Sequence, residues 1–200
     1  MTQGDARRTE WEERYEAGRT GWDRGEASPA LRAWLAVGAV PRGRVLVPGC
    51  GTGHEVLELA RQGCEVTAVD IASQPVASLR ARLQAGGLAA EVVQADLLSW
   101  QPSAPFDAIY EQTCLCALDP AHRSAYELRL ATWLRPHGTL FALFMQTEAD
   151  EGPPFCCAIE DMRLLFDDAR WRWPEDYGRI PHPNGLHEEA VALVRRPSSL

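Results

Sequence analysis

The sequence predicts an α/β fold built on a mostly parallel sheet, with helices on both faces and a helical segment ahead of the first core strand. Three observations predict it. Residues 44–71 read as one βαβ unit: the apolar run Val45, Leu46 and Val47, a glycine-rich turn, a helical stretch and a second apolar run. Gly49, Gly51 and Gly53 alternate through that turn, and Asp70 stands at the tip of the second strand. Further along, apolar strand-like runs keep alternating with helix-period stretches, the pattern of a sheet wound on both sides.

The chemistry of the βαβ unit is specific. Glycines let the backbone turn tightly and let a ligand lie against it. The N-terminus of the following helix offers free N–H groups to an anion. An acid at the end of the second strand accepts hydrogen bonds from ribose hydroxyls. A nucleoside-containing ligand is therefore expected, against the alternative of a turn that binds nothing. The dinucleotide fingerprint Gly-x-Gly-x-x-Gly would need glycine at position 54, which is His54. The Gly-x-Gly-x-Gly spacing instead resembles the first motif of the Rossmann-like S-adenosylmethionine methyltransferases.

Composition sets the wider frame. The chain has 200 residues, 46% hydrophobic and 24% charged, which suits a single globular domain with a full core. Its formal net charge is −8 and every one of its basic residues is Arg. A net acidic chain without a basic run argues against a nucleic-acid binder or an anionic membrane surface as partner. With no signal-peptide pattern and no run long enough to span a bilayer, a cytoplasmic protein is expected. The six cysteines, at 50, 64, 114, 116, 156 and 157, then read as free thiols. No C-x-x-C pair is present, so no metal is expected. A soft-metal site from Cys114, Cys116, Cys156 and Cys157 is the alternative.

The elements follow in order. Residues 7–17 read as a helix that puts Trp11 and Tyr15 on one face. A turn-rich segment then carries Trp22, and Ser28-Pro29 is a cap and first helical residue for a second helix. Trp11, Tyr15 and Trp22 either pack this segment onto the domain or close over the nucleoside as a lid, where electron-rich rings would attract a sulfonium. The βαβ unit is followed by a helix over 73–85 and a third strand over 91–95. Asp96 and Leu97 then stand where an adenine amino group and ring could meet them, unless Asp96 only begins a turn. A fourth strand over 106–110 delivers Glu111, Gln112 and Thr113 to the carboxyl edge of the sheet, where open α/β sheets bind ligands. Asp119-Pro120 starts the next helix and residues 139–145 form a central fifth strand. The stiff loop Gly152-Pro153-Pro154-Phe155 places an aromatic at its end. A short helix over 159–166 precedes two last strands, 170–173 and 190–195, which make the sheet seven-stranded with an antiparallel final pair. His182 and His187 read as surface-loop residues of the connection between them.

Four motifs carry a wider resemblance: W-E-E-R-Y-E-A-G-R-T-G-W-D-R-G, V-L-V-P-G-C-G-T-G, Y-E-Q-T-C-L-C-A-L-D-P-A-H-R and E-G-P-P-F, in that order. Together they resemble the thiopurine S-methyltransferase family, in particular its halide/thiol methyltransferase branch, from about Trp11 to the final strand. The resemblance implies a Rossmann-like class I fold in which residues 1–40 form a helical lid on a core of residues 41–200. It implies S-adenosyl-L-methionine as methyl donor and S-adenosyl-L-homocysteine as product. Trp11, Tyr15 and Trp22 match the aromatic positions that close over the cofactor, and Tyr15 stands where many members have Trp. Gly49 matches the turn residue beside the methionine part, with Gly51 following it in the turn. Asp70 matches the ribose acid, and Asp96 and Leu97 match the adenine segment. Gln112 matches a cofactor-contacting position that is Arg in thiopurine enzymes and often Tyr in the halide/thiol branch. Without a guanidinium there, a bulky thiopurine is not the expected substrate.

Thr113, Cys114 and Phe155 are then expected to line the pocket of a small-molecule acceptor, in a monomer. Methyl transfer from a sulfonium is an in-line displacement in which alignment and water exclusion do most of the work. A thiol is already partly ionised at neutral pH, and a halide, sulfide, selenide or telluride needs still less help. If a base acts, Glu111 is the candidate, with a structural cap as its other reading. A small-molecule O- or N-methyltransferase and a non-catalytic S-adenosylmethionine-binding domain are the alternatives.

Overall fold

A computed structural model of the chain describes residues 2–149 and 151–197. Helix α1 (Gln3–Glu16) starts a turn earlier than residue 7, because Thr2 and Asp5 close a reciprocal capping box at its N-terminus. Helix α2 (Pro29–Ala36) begins after Ser28, whose hydroxyl accepts the Ala30 N–H. Then come β1 (Arg44–Pro48), α3 (His54–Arg61), β2 (Glu65–Asp70), α4 (Ser73–Ala85) and β3 (Glu91–Gln94). The second half holds β4 (Phe106–Gln112), α5 (Arg123–Trp133), β5 (Leu134–Gln146), α6 (Ile159–Leu165), β6 (Trp171–Arg172), β7 (Gly178–Pro181) and β8 (His187–Arg195).

The strands form one sheet in the order β3-β2-β1-β4-β5-β8-β6, with β7 also paired to β8. Pairings from β3 to β5 are parallel, while β8 runs antiparallel to β5, β6 and β7. The sheet thus has eight strands rather than seven. The additional one is β7, within the connection between the last two expected strands, and it pairs Gly178–Pro181 with the start of a longer β8. Strand 170–173 shrinks to two residues, held by Arg170 and Trp171 Nε1 donating to the buried carboxylate of Glu127 on α5.

Strand alternation divides the core into two layers. Leu46, Ile109, Leu140, Ala142 and Phe144 pack toward α5 and α6. Val45, Val47, Ala108, Tyr110, Phe141 and Leu143 pack toward α2, α3 and α4. The order 3-2-1-4-5 reverses direction between β1 and β4. A crevice therefore opens beyond their carboxyl ends, where α/β sheets place their ligands. Helix α1 covers this edge and packs against α4.

Candidate active site

A cavity of about 360 Å³ lies at that crevice, between α1, the glycine turn and the segments after β3, β4 and β5. The turn and the segment after β4 touch closely. Gly49 has φ +59°, and a Cβ there would fall 2.8 Å from both Cβ and Sγ of Cys114, so no side chain fits between them. Thr113 sits opposite with φ +58°, a left-handed conformation that a threonine adopts at a cost, stabilised by its hydroxyl donating to the Gln112 carbonyl at 2.7 Å.

One end of the cavity suits a nucleoside. Asp70, 6% exposed, accepts the Gly51 N–H at 2.8 Å on one carboxyl oxygen and the Ala72 N–H at 2.9 Å on the other. Each oxygen keeps a lone pair for a ligand hydroxyl. Burial raises the pKa of this carboxyl, and the backbone N–H bonds pull it back down. Asp96 and Leu97 line the same end. Asp96 accepts the Leu98 N–H at 3.0 Å and is ion-paired with Arg7 of α1, which also lines the cavity. Asp96 thus begins a turn and fastens the first helix to the core at once.

The three N-terminal aromatics converge on the middle of the cavity. Trp22 meets Trp11 edge to face at 5.4 Å and Tyr15 at 5.6 Å. Tyr15 is buried over Gly51, and that burial pushes its phenol pKa upward. Glu12 of α1 accepts the Ser73 N–H at the start of α4 at 2.7 Å, a second fastening of α1 to the core. Toward β5 and β8 the cavity is walled by Cys114, Cys116, Leu118, Met145, Pro153 and Pro154, with Asn184 beside them, while Arg14 and Arg19 also line the cavity.

Four expected residues stand elsewhere. Glu111 does not line the cavity: at 1% exposure it accepts the Leu115 N–H at 2.6 Å and so caps the short 3-10 turn Leu115–Ala117. Desolvation pushes its pKa up to about 7, and its second oxygen has no partner. Phe155 folds back against Gly152, so the loop presents Pro153 and Pro154 instead. Gly51 and Gln112 line a smaller cavity of about 50 Å³ that adjoins the main one. Gln112 accepts the Tyr110 hydroxyl at 2.8 Å and donates to Glu188 at 3.0 Å. His182 is buried rather than a surface residue, and burial lowers its pKa.

The sequence reading missed a network around His54. Its Nε2 lies 3.0 Å from Asp23 and its Nδ1 3.2 Å from Arg82, while Thr52 donates to Asp23 at 2.8 Å. The W-D-R-G run held a signal for it, since Asp23 adjoins Trp22. Among the described residues no group of three or more His, Cys, Asp and Glu is placed to hold a metal ion.

A family model described as thiopurine S-methyltransferase matches residues 6–177. The chain belongs to the thiopurine S-methyltransferase family. A probable thiol methyltransferase 2 of Arabidopsis thaliana is 33% identical over 159 residues, covering 78% of this chain and 70% of that protein. Thiocyanate methyltransferase 1 of Brassica oleracea is 34% identical over 153 residues, covering 74% and 67%. Among solved structures, the 1,6-didemethyltoxoflavin-N1-methyltransferase of Burkholderia thailandensis, with bound 1,6-didemethyltoxoflavin and S-adenosylhomocysteine, superposes with a TM-score of 0.76. It is 25% identical and covers 95% of this chain and 87% of its own. Membership of the family makes the protein a methyltransferase of the class I fold with S-adenosylmethionine as its methyl donor and a small molecule as acceptor. The cavity fits that donor: a buried acid with free lone pairs at one end, aromatic rings in the middle, and a volume in the range of ligand sites. No helix among the described residues is long and apolar enough to cross a membrane.

Proposed function

We propose that the enzyme methylates a small, soft nucleophile: a thiol, hydrosulfide, halide, or selenium or tellurium species. The observation that carries this reading is the far wall of the cavity, where Cys114, Cys116, Leu118, Met145 and two prolines offer polarisable surface and no side-chain base. An oxygen or nitrogen acceptor with a high pKa would need a base there. A soft nucleophile needs alignment and a dry site. The thiol and thiocyanate methyltransferases among its relatives agree with this acceptor class.

In this reading the chain's residues divide the work. Bound S-adenosylmethionine supplies an activated methyl group together with its leaving group. Asp70 holds the ribose hydroxyls, and Asp96 and Leu97 meet the adenine. Gly49 lets the backbone approach the methionine part. Gly51 and Gln112 meet the donor from the smaller cavity. Trp11, Tyr15 and Trp22 cover the sulfonium and exclude water, and the ring faces favour its positive charge. Thr113 and Cys114 stand between donor and acceptor. Glu111 holds the turn that carries Cys114 and Cys116, a positioning role rather than that of a base. We read residues 1–40 as the lid and 41–200 as the core of a single domain. The enzyme would work as a cytoplasmic monomer, and its net charge of −8 supports the absence of a nucleic-acid partner.

The test is S-adenosylhomocysteine release with iodide, hydrosulfide, small aromatic thiols, selenide and a thiopurine as acceptors. Turnover with the small soft nucleophiles and none with the thiopurine is expected. Turnover confined to oxygen or nitrogen acceptors, or none despite tight donor binding, would overturn the proposal.

A further inference from the structure

The charge that lines the main cavity is opposite in sign to the charge of the chain. The protein carries a net −8, yet among the described residues the cavity is lined by three arginines, Arg7, Arg14 and Arg19, and by only two acids, Asp70 and Asp96. Both acids stand at the nucleoside end, and Asp96 already neutralises Arg7. Arg14 lies two helical turns further along α1, about 10 Å from Arg7 along the axis. The charge that remains beyond the nucleoside end is positive.

The end of α1 sets Arg14 and Arg19 side by side. The Arg19 N–H donates to the Arg14 carbonyl at 2.9 Å and the Gly18 N–H to the Tyr15 carbonyl at 3.0 Å, with Gly18 at φ +64°. These two bonds make a glycine-terminated helix end, in which the residue after the glycine folds back onto the last turn and two apolar side chains commonly meet. Here the two residues are Arg19 and Arg14. Arg14 spends one terminal nitrogen on the exposed Glu10 at 3.0 Å and rests its guanidinium 5.2 Å from the Trp11 ring centre, while its Nε is buried without a hydrogen-bond partner. Among the described residues no carboxylate comes within ion-pair distance of Arg19. Two guanidiniums brought together, with one exposed carboxylate to answer them, leave a positive field that an anion relieves.

We infer that Arg14 and Arg19 select the acceptor by charge and admit it to the cavity as an anion: an iodide, a hydrosulfide or a thiolate rather than a neutral thiol. The inference rests on the reading of the acceptor as a small soft nucleophile and deepens it. A lone pair of the anion forms the new bond to the methyl carbon as the bond from that carbon to the donor sulfur breaks, and the electron pair of the broken bond stays on that sulfur. The negative charge of the acceptor and the positive charge of the sulfonium cancel, and no proton moves. A thiol loses its proton to solvent before it enters, which suits a wall without a side-chain base. The methylated product is neutral, so the arginines hold the acceptor and not the product.

The experiment follows the KM for iodide and for hydrosulfide at saturating S-adenosylmethionine, with S-adenosylhomocysteine affinity measured by calorimetry on the same full-length variants. Arg19 is exposed, so replacing it leaves the packing of the fold alone. Arg19→Gln should raise the KM for both anions about 10-fold and Arg19→Glu about 100-fold, while Arg19→Lys should restore most of the wild-type value. S-adenosylhomocysteine affinity should move by less than about 3-fold in all three variants. An unchanged KM in Arg19→Gln and Arg19→Glu would overturn the inference. So would a loss of S-adenosylhomocysteine affinity as large as the rise in KM, which would assign the arginines to the donor, or a fall in kcat with KM unchanged. A wild-type protein that binds S-adenosylhomocysteine but turns over neither these nor any other anionic acceptor would overturn the proposed acceptor class together with the inference, which distinguishes the two failures.

Discussion

Replacing Glu111 by Gln separates the two roles that a carboxylate at this position could have. In the folded protein the side chain is out of contact with water, one oxygen is held by the Leu115 N–H and the other is unpartnered. Its pKa rises from 4.5 to about 7. A raised pKa means that the folded state binds the proton more tightly than the unfolded state. Stability from this group is therefore complete below the unfolded value and is lost as pH rises through the folded one. That rise corresponds to about 3 kcal/mol, lost as the pH climbs from about 4.5 through about 7. Glutamine keeps the acceptor for Leu115 and cannot ionise. Urea unfolding at about pH 5 and about pH 8.5 should show the variant gaining about 2.5 kcal/mol on the wild type between the two conditions, the remainder having been lost already below pH 5. Parallel pH profiles would refute the burial argument. Turnover of thiol and halide acceptors should change together in the same variant. A loss confined to thiols would return Glu111 to the role of base.

Two further substitutions test how the site is held. Gly53→Ala forces an L-residue to φ +77° and drives a Cβ to 2.3 Å from Leu79, itself fully buried. It should cost about 2–5 kcal/mol in urea unfolding, whereas Gly63→Ala, at φ +84° in open space, should cost about 1 kcal/mol. Glu127→Ala leaves Trp171 Nε1 buried without an acceptor and unfastens β6 from α5, which should cost about 3 kcal/mol, read as a lower urea midpoint.

The βαβ unit was legible because everything that specifies it is local. Strands buried on both faces read as unbroken apolar runs, and alternate glycines mark a turn that admits no Cβ beside Cys114. The period of a strand sorts neighbouring residues onto opposite faces. Tyr110 and Gln112 share one face of β4 and Glu111 the other, so Glu111 and Gln112 point to opposite layers. Other features depend on contacts distant in sequence. Arg7 reaches Asp96 across 89 positions and Gln112 reaches Glu188 across 76, and neither partner has a local signature. Strand β7 has exposed or half-exposed residues and a proline, and forms only because β8 offers it an edge.

An enzyme that methylates sulfur nucleophiles carries a hazard of its own making, since Cys114 and Cys116 are sulfur nucleophiles on the wall of its cavity. Burial answers it. Both thiols are pushed far above neutrality by desolvation, with neighbouring negative charge adding to the effect. The attacking form is the thiolate, and neither residue holds an appreciable amount of it at physiological pH. A substrate that enters as an anion, or ionises at an ordinary thiol pKa, therefore outcompetes the enzyme's own cysteines by its charge state. The dry surroundings that favour the reaction also protect the catalyst from alkylating itself.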